Sequence, residues 1–152
     1  PRPASWLAFG PSSGRTPPGW GVTDGYVHRV AVRYGEVDQQ GVVFNAHYLA
    51  YFDDAIDRWL RSLDPHFERF GWDLMLKRAV IEWHGPAGIG DDLDIAVAVS
   101  RWGHTSFDID FVATVGERPV VTATITYVGV RTGTAEPTPP PAAVRALLGE
   151  PA

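Results

Sequence analysis

Gly35–Phe52 reads GEVDQQGVVFNAHYLAYF. A polar turn with one aspartate, Asp38, runs through Gly41 into three large apolar residues, Val42, Val43 and Phe44. The spacing then changes. Ala46, Leu49, Phe52, Ile56, Trp59, Leu60 and Leu63 recur at intervals of three and four, which predicts an amphipathic helix over Asn45–Leu63. Asp54–Arg58 and Asp57–Arg61 place acid before base at i,i+4 and support that helix. Asn45 is the expected N-cap and Pro65 the stop.

Outward from this stretch the chain alternates rather than winds. Val27–Tyr34 sets Val30, Val32 and Tyr34 against Arg29 and Arg33, a half-buried strand. Further strands are expected at Ala79–His84, Asp94–Arg101, Phe107–Val115 and Val120–Val130, with a short helix at Ala142–Leu148 after EPTPPP. Short turns between the later strands call for antiparallel pairing. The fold class expected is α+β: a five-stranded antiparallel sheet wrapped around one long helix.

The chain has 152 residues, 45% of them hydrophobic and 20% charged, which suits one core-forming domain. Residues 1–26 form a Pro/Gly-rich extension; its Trp6, Leu7, Phe9 and Trp20 are expected to pack on the main domain, residues 27–152. SWLAFG is too short for a signal-peptide core. A net charge of −5 argues against nucleic acid or an anionic membrane surface as partner. No run approaches the ~20 apolar residues of a membrane helix. The absence of cysteine excludes disulfides and thiolate chemistry, and fits a cytoplasmic location.

Asp38 lies shortly before a helix N-terminus, where free N–H groups and the helix dipole favour negative charge. Acid, amides and an apolar wall of Val42, Val43 and Phe44 together suit acyl transfer to water. The competing reading is an aspartate that closes a turn by bonding its own backbone.

VRYGEVDQQGVVFNAHYLAYFDDAIDRWL resembles the signature of the 4-hydroxybenzoyl-CoA thioesterase family of hotdog-fold proteins. The matching positions are Tyr34, Asp38, Gly41, Val42, Val43, Phe44, Tyr48, Leu49, Tyr51, Phe52, Ala55, Trp59 and Leu60. GIGDDLDIAVAVSRWGHTSFDIDF is similar to later strands of the same family. The resemblance implies a hotdog fold and an acyl-CoA or acyl-carrier-protein thioesterase that needs no cofactor or metal. It implies that Asp38 is the base or nucleophile and that an amide at Asn45 polarises the thioester carbonyl. Substrate contacts fall on Tyr34, Gly41, Val42, Val43, Phe44, Tyr48, Arg101, His104 and Ser106. It further implies a homodimer or homotetramer with the site at the subunit interface.

Two departures stand out. Val37 replaces a threonine beside the acid, and the loop Trp102–Thr105 offers only Arg101 and His104 for CoA phosphates, which keeps a carrier-protein thioester open. The rival functions are a non-catalytic acyl-thioester-binding protein and a hotdog dehydratase or hydratase, whose histidine motifs the chain lacks. Gly10–Gly14 (GPSSG) lacks the strand–turn–helix setting of a nucleophile elbow. Asp53 and Asp57 are read as a solvated helix face, His28, His47 and His66 as surface or packing residues, and Trp59, Trp72 and Trp83 as core.

Overall fold

The structure, a computed structural model, describes residues 26–151. The expected extension, residues 1–26, lies outside them apart from Tyr26. In chain order the elements are β1 (Tyr26–Ala31), a 3₁₀ turn (Tyr34–Glu36), α1 (His47–Leu63), a second 3₁₀ turn (Phe67–Phe70), β2 (Trp72–Trp83), β3 (Asp92–Trp102), β4 (Ser106–Val115), β5 (Arg118–Arg131) and α2 (Ala142–Leu148). The sheet runs β1-β3-β4-β5-β2, and each neighbouring pair is antiparallel.

The helical spacing is realised as one buried stripe on α1: Tyr48, Tyr51, Phe52, Ala55, Ile56 and Trp59. It meets the inner face of the sheet, where Leu93, Ile95, Phe107, Ile109, Phe111 and Ile125 are fully enclosed. Phe52 stacks on Phe111 with ring centroids 4.6 Å apart. Burial of each such side chain is worth about 1.5–3 kcal/mol, and this contact holds helix and sheet together. At the far end, Trp102 Nε1 donates to the carbonyl of Gly149 at 2.9 Å, tying α2 to β3.

Four expectations need correction. The first strand stops at Ala31, so Tyr34 belongs to a 3₁₀ turn and not to a strand. The helix begins at His47, and Ala46 rather than Asn45 is the cap residue, with no side-chain capping bond. β2 reaches back to Trp72, well before Ala79. Its pairing with β5 slips between Leu76 and Arg78, and this bulge breaks the two-residue alternation that marks a strand. β2 is also an edge, paired on one side only, and Met75, Leu76, Val80 and Trp83 are all exposed. Trp59 and Trp72 are core as expected, but Trp83 is 46% exposed.

The topology decides which loops share an end. Ala31 pairs with Asp92 and Trp83 with Val121, so the β1–α1 loop sits at the start of β3 and the end of β2. The β3–β4 turn lies at the opposite end, about 30 Å away at ~3.3 Å per strand residue.

Candidate active site

The Asp38 loop is held by its own backbone. Asp38 N–H donates to Val42 O at 2.8 Å, Gly41 N–H to Asp38 O at 3.0 Å, and Phe44 N–H to Glu36 O at 3.0 Å. Val43 N–H donates to Ala87 O at 2.8 Å, which anchors the loop to the β2–β3 connection. Gly41 has φ +76°, a left-handed conformation that a side chain would strain. Gly88 lies so close that a Cβ there would meet Gly41 O at 2.9 Å. The glycine before the apolar run is thus the sequence signal of this tight turn.

Within it, Gln40 N–H donates to Asp38 Oδ1 at 2.7 Å. The turn-closing reading of Asp38 is therefore correct as geometry, and it leaves the chemistry open. Oδ2 makes no hydrogen bond among the described residues and remains able to accept a proton. Asn45 stands two residues before α1 and is exposed. Its backbone N–H has no acceptor among the described residues.

Beside this loop is a small, partly open pocket of about 60 Å³, lined by Val42, Val43, Asn45, Tyr48, Trp83 and His84 together with Gly85 and Pro86. Burial pushes the Tyr48 hydroxyl up to about 12, so it stays neutral. Val43 is 2% exposed and forms a dry wall, whereas Phe44 at 55% and Tyr34 at 83% face outward. Of the expected substrate contacts, Val42, Val43 and Tyr48 line the cavity with Asn45; Gly41 and Asp38 belong to the adjoining turn, bonded to one another and to Val42, and do not line it, while Tyr34 and Phe44 are exposed.

Arg101, His104 and Ser106 do not join them within this chain. They lie at the β3–β4 turn, at the other end of the sheet. Arg101 Nε donates to Asp108 Oδ2 at 2.7 Å and Nη2 to Oδ1 at 3.2 Å. These hydrogen bonds raise the guanidinium and lower the Asp108 carboxyl, so the one arginine of this loop is already paired.

The residue that sequence reasoning undervalued is Glu36. It is only 6% exposed, and its carboxylate accepts from the Arg33 backbone N–H at 2.8 Å, from Arg33 Nε at 3.2 Å and from His47 Nε2 at 2.7 Å. Burial alone would push its carboxyl up; the bonds from Arg33 and His47 outweigh it and hold the group down at about 2. His47 is thus a carboxylate partner and not a free surface residue. His28 likewise pairs, with Asp54 at 2.9 Å. The available signal for Glu36 was an acid two residues before Asp38, between an arginine and a histidine.

On α1, Asp57 pairs with Arg61 at 2.9 Å, as a solvated face would. Asp53 and Asp57 both line an open groove of about 720 Å³ with Ile56, Leu60, Asp73, Leu74 and Met75; Asp53 differs in that burial pushes its carboxyl up and it has no ion-pair partner among the described residues. Among the described residues no three of His, Asp or Glu converge as a metal site would require.

A sheet of this order curled round one long helix is the hotdog fold. Residues 32–148 match the family model described as the thioesterase-like superfamily, and the chain belongs to that family, thioesterases of the hotdog type. It is 26% identical over 121 residues to a 1,4-dihydroxy-2-naphthoyl-CoA hydrolase from Synechococcus elongatus, covering 76% of this chain and 89% of that protein. Among solved structures, a thioesterase superfamily protein from Jannaschia sp. CCS1 superposes with TM-score 0.76 at 20% identity, covering 82% of this chain and 91% of the other. A hypothetical protein from Aquifex aeolicus gives TM-score 0.74 at 23% identity, with 82% and 99% covered.

Proposed function

We propose that this protein hydrolyses acyl-CoA thioesters at the loop between β1 and α1. The observation that carries the reading is that one backbone-clamped segment holds, seven residues apart and among the described residues, a carboxylate oxygen with no hydrogen bond, on Asp38, and an N–H with no acceptor, on Asn45 at the cavity wall. Asp38 removes a proton from water as the water attacks the thioester carbonyl, or its carboxylate attacks first and water then cleaves the anhydride. The carbonyl oxygen gains negative charge in either route, and the Asn45 amide beside the helix start stabilises it. The C–S bond breaks and the thiolate leaves with a proton. Val42, Val43, Tyr48 and Trp83 hold the first part of the acyl group. The chemistry calls for no cofactor or metal.

CoA as carrier is supported by the Synechococcus elongatus relative, whose name specifies a CoA thioester. A carrier-protein thioester is favoured by one observation, the engagement of Arg101 by Asp108. Hydrolysis of a panel of acyl-CoAs and matching carrier-protein thioesters separates the two. Binding without turnover across that panel would instead identify an acyl-thioester-binding protein.

A second mechanistic reading makes a helix carboxylate the base. Asp53 supports it, since it faces an open groove without a cation and burial raises its carboxyl. Rates of Asp38→Asn and Asp53→Asn decide between the two.

The active form is an even-numbered homo-oligomer, a homodimer or homotetramer. Support comes from the unpaired edge of β2, twelve residues long with Met75, Leu76, Val80 and Trp83 exposed. Antiparallel pairing of two β2 edges would bring the Arg101 end of one copy toward the Asp38 end of the other. The cysteine-free composition supports a cytoplasmic location.

A further inference from the structure

We propose that Glu36 and His47 form a positioning pair for Asp38, a clamp that fixes the catalytic loop from its buried side; this rests on the reading of Asp38 as the base or nucleophile. The pair joins the 3₁₀ turn before the loop to the first residue of α1 after it, eleven positions apart. Asp38 and Asn45 both lie between the two ends. A 2.7 Å side-chain bond at the loop's base therefore ties together the two ends of the segment that carries both groups.

The carboxylate is committed to this task. One oxygen accepts the Arg33 N–H and Nε, the other accepts His47 Nε2 and sits 3.4 Å from Arg33 Nη2. The Glu36 carbonyl accepts from Phe44 N–H, so backbone and side chain of one residue grip both the apolar arm of the loop and the helix start. Tyr51 closes the cluster from below. Its ring packs edge-on against His47 with centroids 4.7 Å apart, which fixes the imidazole plane. The Tyr51 hydroxyl is buried close beside the Glu36 carboxylate. Burial first, and the Glu36 charge next, push its ionisation up, so it stays neutral beside that charge.

None of these groups lines the cavity beside Asn45. Their influence on turnover must pass through the loop. A loop that is less well held misplaces Asp38 in the transition state more than it weakens ground-state binding, so kcat should fall while KM holds.

The test is a double-mutant cycle on the full chain, read by release of free thiol from an acyl-CoA substrate; with no cysteine in the protein, a thiol reagent reports product alone. Glu36→Gln should lower kcat roughly 10-fold with KM changed less than about 2-fold. In an Asp38→Asn background the same substitution should change the residual rate by less than about 2-fold, because nothing remains to be positioned. His47→Ala removes the same bond while leaving Arg33 on Glu36. It should give a smaller loss of kcat, about 3-fold, and covers the case in which Glu36→Gln fails to fold. A Glu36→Gln effect that persists undiminished in the Asp38→Asn background would overturn the proposal, as would wild-type kcat in both single variants. A fully active Asp38→Asn enzyme would instead remove the reading on which the proposal rests.

Discussion

The backbone N–H of Gln40 donates a 2.7 Å hydrogen bond to Oδ1 of Asp38. One oxygen of the carboxylate thus closes the turn and the other makes no hydrogen bond among the described residues. Asparagine keeps an acceptor at Oδ1 and can close the same turn, but it cannot take a proton at neutral pH. Asp38→Asn should therefore fold normally and lose about 10²–10⁴-fold in kcat. Asp53→Asn should stay within about 3-fold of wild type. Circular dichroism with thiol-release kinetics checks both, and a dead Asp53 variant beside a live Asp38 variant would move the base to the helix.

Arg101 is held by two hydrogen bonds to Asp108 and sits about 30 Å along the sheet from the Asp38 loop of the same subunit. Few free cations await the CoA phosphates there. KM for an acyl-CoA should rise less than about 2-fold between 50 and 300 mM salt, roughly, and should match that of the corresponding pantetheine thioester. A steep salt dependence would reveal a phosphate-binding patch drawn from other arginines.

Val80 is 42% exposed at the middle of the unpaired β2 edge. Sedimentation at micromolar concentration should give a dimer or tetramer. Val80→Lys places a charge on that edge and should shift the protein toward monomer. If the oligomer carries the site, activity should fall in step with the monomer fraction; a fully active monomer would argue that each subunit works alone.

Glu36 has a folded-state pKa of about 2 against an ordinary 4.5. The folded state therefore favours the charged carboxylate more than the unfolded chain does. The resulting stabilisation, about 3 kcal/mol, is complete above pH ~4.5 and is lost as pH falls toward 2. Urea unfolding from pH 6 down to pH 3 should show this loss. Glu36→Gln should be less stable at pH 6 and should show a flatter profile through the acid range; an unchanged slope would mean that Glu36 is not the group responsible.

Much of the architecture was legible in the chain itself. The alternation at Ile95–Val99 and Phe107–Phe111 arises where one face of a strand is buried, and its apolar residues became core; of the three-and-four spacing from Ala46 to Leu63, Phe52, Ile56 and Trp59 are buried, Leu49, Leu60 and Leu63 pack partly buried against them, and Ala46 is exposed. Asp38 and Gly41 stood out for a local reason: a turn with a left-handed residue needs such side chains within a few positions. The family followed from the same stretch, because loop and helix start are contiguous in sequence.

Tertiary structure alone decided what depends on distant partners. β2 was half missed because an unpaired edge and a bulge erase the two-residue period. Trp83 looked like core, but only the position of β2 at the edge exposes it. Arg101, His104 and Ser106 read as companions of Asp38, yet the antiparallel order sends their turn to the far end of the sheet. His47 read as a surface or packing residue, and the sequence assigned Glu36 no partner. The bond between a buried Glu36 and a half-buried His47, beside Arg33 and Tyr51, arises only once the 3₁₀ turn folds onto the first turn of α1. Local periodicity records which face of an element is buried; it holds no record of which ion pairs the packing of that face will enclose.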